Sequence, residues 1–200
     1  TAAGRDFIRE YTEACRRHGL KVGFYYSLLN WQCPGFYTGP YRDPKGFADM
    51  VRRTHEQVRE LMTNYGPVDL LWYDGAPVPG LDLGLLHRYW RSKELNAMVR
   101  SLQPRIVIND RSGLPEDYDT PEQHVTPPSG GRMWEACMTI GSGWGYIRND
   151  AKIKPVAELL RFLVKAARYG GNLLLNVGPR ADGTIQPEFV ERLETMGAWL

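Results

Sequence analysis

Two hundred residues suffice for one domain with a proper hydrophobic core. The balance of 25 basic against 23 acidic residues leaves a formal charge of +2, too weak a field to argue for nucleic acid or a membrane surface. No apolar run is long enough to cross a bilayer, and the odd set of Cys15, Cys33 and Cys137 lacks metal-ligand spacing and reads as free thiols.

Arg5 to His18 carries Phe7, Ile8, Tyr11, Ala14 and Cys15 on one helical face, and Gly19 supplies a stop. Lys21 to Ser27 follows as a strand of β-branched and aromatic residues. Asn30 to Tyr41 reads as a loop rich in Trp, Tyr, Phe, Pro and Gly. Asp43-Pro44 has the form of an N-cap with proline at the first helical position, and the helix it opens runs to about Tyr65. Gly66-Pro67 breaks the chain before a short apolar run that ends in Trp72, Tyr73, Asp74 and Gly75. That run reads as a buried strand.

A loop over Ala76 to Gly84 leads to a helix over about Leu86 to Leu102, which Pro104 stops. Arg105 to Arg111 repeats the pattern of an apolar strand with polar residues at its end. Ser112 to about Gly131 has no helical period and reads as a long loop, of the kind that is usually functional or disordered. Met133 to Ile140 reads as a strand. A helix starts near Pro155 and ends at Gly170-Gly171, Asn172 to Gly178 reads as a buried strand, and a last helix starts at Pro187. Strands alternating with helices predict an α/β fold with parallel pairing and right-handed crossovers. Five strands are too few for a closed eight-stranded barrel, and the chain opens on a helix as if strands preceded it.

The strand ends share a chemistry: Tyr25, Tyr26 and Ser27; Trp72 and Asp74; Asn109, Asp110 and Arg111; Trp134 and Glu135; Asn172 and Asn176. Carboxylates, aromatics, Arg and amides without a Cys/His cluster suit cleavage of a glycosidic bond, which needs two carboxyl groups flanking the bond. Aromatic faces also suit the apolar faces of sugar rings. Asp74 fits the ionised role, with Trp72 two residues back on the same side of its strand. Its bland reading is an Asp-Gly turn or a cap. Two residues fit the proton donor. Glu122 lies in the long loop behind Pro121, and Glu135 follows Trp134 on a strand. A solvated loop acid and a structural partner for an arginine are their bland readings. Asp110 and Arg111 are adjacent and face opposite ways if both lie on a strand.

The chain resembles the catalytic domain of α-L-fucosidases of glycoside hydrolase family 29. The matching segments are Gly19 to Leu29, Leu71 to Gly75, Ile108 to Arg111, Thr120 to Gln123, Met133 to Ile140 with Trp144 to Tyr146, and Gly170 to Pro179. They cover nearly the whole chain in family order. The resemblance implies a (β/α)8-like barrel, of which residues 1–200 would be about strands four to eight of a single catalytic domain lacking its N-terminal strands. It implies an exo-acting enzyme that retains configuration at the anomeric carbon, with a fucosylated oligosaccharide or glycoconjugate as partner, no cofactor and no metal. Asp74 matches the family's nucleophile. Glu122 matches the favoured acid/base, with Glu135 the alternative. Tyr26, Trp72, Arg111 and also Trp134 match residues lining the fucose pocket. A secreted, periplasmic or lysosome-like compartment goes with the family. The family's pocket histidines from earlier strands have no match here. Their absence keeps open a carbohydrate-binding module without catalysis, beside another retaining glycosidase on a similar barrel.

Overall fold

The computed structural model describes residues 4–75 and 81–200. It divides into two compact units, Thr1–Asp117 and Tyr118–Leu200.

In the first unit, Asp6 caps α1 (Phe7–Arg17), its side chain accepting from the Arg9 N–H. Gly19, at φ 67°, turns the chain out of that helix towards β1 (Gly23–Ser27). Then come α2 (Pro34–Arg42) and α3 (Pro44–Asn64). The expected cap is present, since the Asp43 side chain accepts from the Gly46 N–H and Pro44 opens the helix. β2 (Leu70–Asp74) follows, then α4 (Leu86–Tyr89), α5 (Ser92–Leu102) and the two-residue β3 (Val107–Ile108), which runs into a 3-10 turn over Asp110–Ser112. The strands form a parallel sheet in the order β1-β2-β3, with Tyr25 opposite Trp72 and Ser27 opposite Asp74.

Side-chain alternation sorts this sheet into two faces. Phe24, Leu71, Tyr73 and Ile108 enter a core with Met50, Val51 and Val58 of α3 and Leu95 and Val99 of α5. Tyr25, Ser27, Trp72 and Asp74 are therefore on the face away from those helices. Two stretches differ from the sequence reading. Part of the aromatic loop is helical: Pro34 starts α2, and Gly39, at φ 68° and ψ 175°, kinks it just before Pro40. The single helix expected over Leu86 to Leu102 is broken where Arg91 adopts a left-handed φ of 51°. The loop expected from Ala76 to Gly84 falls partly outside the described residues.

The second unit contains β4 (Glu135–Thr139), α6 (Val156–Arg168), β5 (Asn172–Asn176) and α7 (Pro187–Trp199). β4 and β5 are parallel, with Glu135 opposite Asn172 and Thr139 opposite Asn176. Residues 119–123, expected within a loop, run beside β4 in a parallel direction. The Glu135 N–H donates to the Asp119 carbonyl (2.9 Å), the Cys137 N–H to Pro121 (3.0 Å) and the Gln123 N–H to Cys137 (2.9 Å). Proline and mixed charge hid this pairing from a periodicity reading, although Pro121 needs only its carbonyl there. Ala136 and Met138 pack with Trp134 against Ala166 and Phe162 of α6. Phe189 and Met196 of α7 pack with Ile140 and Leu159. β5, expected to be buried, leaves Asn172 and Leu174 exposed on its other face. Cys15, Cys33 and Cys137 are buried and form no disulfide with one another.

Two glycines of this unit predict opposite responses to alanine. A Cβ on Gly171 would lie 2.2 Å from Cε2 of Trp134, whereas one on Gly197, inside α7, would meet nothing within 4 Å. Gly171→Ala is expected to destabilise by about 1–3 kcal/mol through overpacking. Gly197→Ala is expected to stabilise by about 0.4–1 kcal/mol, by restricting the unfolded chain. Urea unfolding midpoints at constant slope measure both.

Candidate active site

Asp74 is the last residue of β2, the central strand of its sheet, with β1 on one side and the turn that follows β3 on the other. Both neighbours supply a donor. The Tyr25 hydroxyl, from β1, donates to Oδ2 at 2.7 Å. Nη1 of Arg111, from the 3-10 turn after β3, donates to Oδ1 at 3.0 Å. The same two residues flank Trp72. Tyr25 stacks on the indole with centroids 5.8 Å apart and planes at 18°, and the Arg111 guanidinium carbon is 4.6 Å from the ring centroid. Such cation–π and stacking contacts hold the aromatic plane beside the acid.

Burial pushes the Asp74 carboxyl up, but the Tyr25 hydroxyl, the Arg111 guanidinium and the Gly75 N–H together outweigh it. The carboxyl is held below the usual carboxylate range and is ionised at neutral pH. Gly75 ends the strand at φ 67°, and a Cβ there would lie 2.7 Å from Cγ of Leu29. The Leu28 N–H donates to the Asp74 carbonyl at 2.8 Å. Asp74 combines the local Gly75 N–H contact of an Asp-Gly turn with two side-chain donors from distant segments. Its oxygens accept from the Tyr25 hydroxyl of β1 and the Arg111 guanidinium of the turn after β3, on the face away from the helices.

Tyr26 is on the face of its sheet opposite Asp74. Tyr26 follows Phe24 by two residues and shares its side. Its hydroxyl donates to Oε1 of Gln57 on α3 at 2.7 Å, and its ring packs against the core. On the Asp74 side, that strand presents Tyr25 instead. The signal that identifies it was available: with Phe24 as the core aromatic, alternation puts Tyr25 on the open face. Trp134 is 4% exposed, packs with Met138 and Ala166, and donates its Nε1–H to the Tyr169 carbonyl at 3.2 Å. It lies in the core of the second unit beside α6. Trp72 and Arg111 lie beside Asp74.

Both candidate acids belong to the second unit. Glu135 is 7% exposed, and one of its oxygens accepts from Nδ2 of Asn172 at 2.6 Å. Glu122 is exposed and pairs with Cys137 across the parallel bridge. That register puts Glu122 on the same side of the pair as Cys137, and hence as Glu135, away from Ala136, Met138 and α6. Among the described residues no group of three or more His, Cys, Asp or Glu is arranged to hold a metal ion.

The family model for α-L-fucosidase matches residues 1–200. The chain is 37% identical over 214 residues to a plasma α-L-fucosidase of Pongo abelii, covering 98% of this chain and 43% of that protein. It thus spans less than half the length of that relative. Among solved structures, α-L-fucosidase isoenzyme 1 from Paenibacillus thiaminolyticus is similar with a TM-score of 0.85 and 36% identity, over 98% of this chain and 52% of that one. A family 29 α-L-fucosidase from Bacteroides thetaiotaomicron, a trapped covalent intermediate in complex with 2-fluoro-fucosyl fluoride, is similar with a TM-score of 0.84 and 27% identity, over 100% of this chain and 50% of that one.

The donors on Asp74 set a pH dependence. Tyr25→Phe removes one donor and keeps a ring beside Trp72. The Asp74 carboxyl is then expected to titrate at higher pH than in the parent, as read by carboxyl-observed NMR. Because the folded value is depressed, its contribution to stability is present above the unfolded value of about 3.9 and is lost as pH falls through the folded one. The Asp74 side chain is 32% exposed, which screens the effect. The variant is expected to lose on the order of 1 kcal/mol near neutral pH, with the difference closing as the pH falls below both values. Superimposable titrations would mean that the hydroxyl does not hold the acid.

Proposed function

Because the chain belongs to the α-L-fucosidase family, glycoside hydrolase family 29, we propose that the full-length protein is a retaining exo-α-L-fucosidase acting on terminal α-L-fucosyl groups of glycans. The supporting observation is the ionised Asp74 carboxylate at a parallel strand end, gripped from both sides and backed by Trp72. Parallel strands with helices along one face also support reading the two units as parts of a (β/α)8-like barrel, about strands four to eight. In such barrels chemistry belongs to the C-terminal strand ends.

In this reading, Asp74 attacks the anomeric carbon while Glu122 gives a proton to the leaving oxygen, and the C–O bond breaks with inversion. Glu122, now a carboxylate, takes a proton from the incoming water, whose oxygen displaces Asp74 with a second inversion. Double displacement requires the two carboxyl groups to come within about 5–5.5 Å. Glu122 is preferred to Glu135 because it is exposed, whereas Glu135 is buried with an oxygen bonded to Asn172. Trp72 offers an apolar wall, and Arg111 orients the nucleophile.

The full-length protein tests this directly. Asp74→Ala is expected to lose at least about 10³-fold in turnover of an aryl α-L-fucoside, by analogy with loss of other nucleophiles that act within a unit. Added azide is expected to restore turnover and give fucosyl azide of inverted configuration. Hydrolysis by the variant at the parent rate would end the nucleophile assignment. Separate Glu122→Gln and Glu135→Gln variants identify the acid. The acid's loss should matter far less for a leaving group that needs no proton.

A further inference from the structure

β3 is too short for the strand beside it. Its ladder with β2 contains only Leu70 opposite Val107 and Leu71 opposite Ile108. The chain then leaves the sheet at Asn109, at φ −80° and ψ 172°, and enters the 3-10 turn that delivers Arg111. Tyr73, immediately before Asp74, is fully buried and has no backbone partner from β3. An unpaired buried peptide group there would be expensive.

The Asn109 side chain fills that place. Its Oδ1 accepts from the Tyr73 N–H at 2.9 Å, and its Nδ2 donates to the Tyr73 carbonyl at 2.9 Å. A carboxamide has the acceptor and the donor of a peptide group, and here it serves as one more rung of the ladder. The side chain is fully buried. Asn commonly caps a helix from this position, yet this one makes no cap bond to the turn it precedes. Asp117 seals the far edge of β3: the Ile108 N–H donates to its Oδ2 at 2.7 Å, and its own N–H donates to the Ile108 carbonyl at 3.0 Å. The strand is thus fixed on both edges up to the point where it turns away.

The geometry points to Asn109 as a positioning residue for the Asp74 nucleophile, an inference that rests on the fucosidase reading above. The Tyr73 carbonyl belongs to the peptide that leads into Asp74, so gripping it fixes the plane from which the Asp74 side chain departs. Asn109 also lets the backbone diverge early enough to bring Arg111 to that side chain. It touches neither sugar nor reacting atom, and acts through Asp74.

The experiment is a double-substitution cycle in the full-length protein with an activated aryl α-L-fucoside. Asn109→Ser is expected to lower kcat/KM by about 10²-fold, the scale of a small misplacement of a reacting group. In the Asp74→Ala background, where azide does the attack, the same substitution is expected to leave the azide-rescued rate within about twofold. A merely structural role would slow the rescued reaction as much as the normal one. That result, or an unchanged kcat/KM in Asn109→Ser alone, would overturn the inference. Should the serine variant not fold, Asn109→Asp carries the same cycle: it keeps the shape and the acceptor for the Tyr73 N–H but faces the Tyr73 carbonyl with an oxygen. A parent without fucoside turnover would fail the fucosidase reading instead. In that case the NMR titration of Asp74 decides: a shifted curve in the Asn109 variant supports the inference, and an unchanged one overturns it.

Discussion

A half-buried carboxylate loses water and must regain its donors from the protein. That requirement organises the first unit. Asp74 ends the middle strand of a parallel sheet, so β1 and the turn after β3 can each bring one donor to it. The two donors are unlike. Tyr25 gives a neutral hydroxyl from within a strand, whereas Arg111 gives a charge from a turn. Both also press on Trp72, so the acid and the apolar surface beside it are fixed by the same two side chains. Loss of either contact would loosen a charge and an aromatic plane together.

The parallel sheet alone cannot provide this arrangement. If β3 continued as a regular strand, Arg111 would lie further along the ladder. The chain must leave the sheet early, and a side-chain amide takes over the pairing that the backbone gives up. The site is thus built from a regular ladder and one substitution within it. Local departures from regular structure of this kind concentrate where chemistry is placed.

Much of this was legible in the residues. Apolar runs bounded by Gly and Pro marked the strands, Asp43-Pro44 marked a helix start, and Trp72 and Asp74 shared a side by simple alternation. The same rule separates Tyr25 from Tyr26 and Trp134 from Glu135, because Phe24 and Ala136 mark the core side of each strand. What escaped was non-local. Nothing around Pro121 signals that its carbonyl will accept from Cys137, and nothing in Asn109 signals a partner 36 positions away at Tyr73. The kink of α2 at Gly39 and the break at Arg91 rest on single backbone conformations, and periodicity averages these out.

The pairing of residues 119–123 with β4 carries one more consequence. A strand partner inherits its facing from register, so every single-residue shift reverses which side chains look inward. Lengthening the connection upstream of Asp119 leaves that parity untouched. Insertion of one residue between Asp119 and Glu122, with the Asp119 bridge to Trp134 retained, would swing the glutamate towards α6. Indels between Asp119 and Glu122 are therefore subject to strict phasing, which changes in chain length before Asp119 do not disturb.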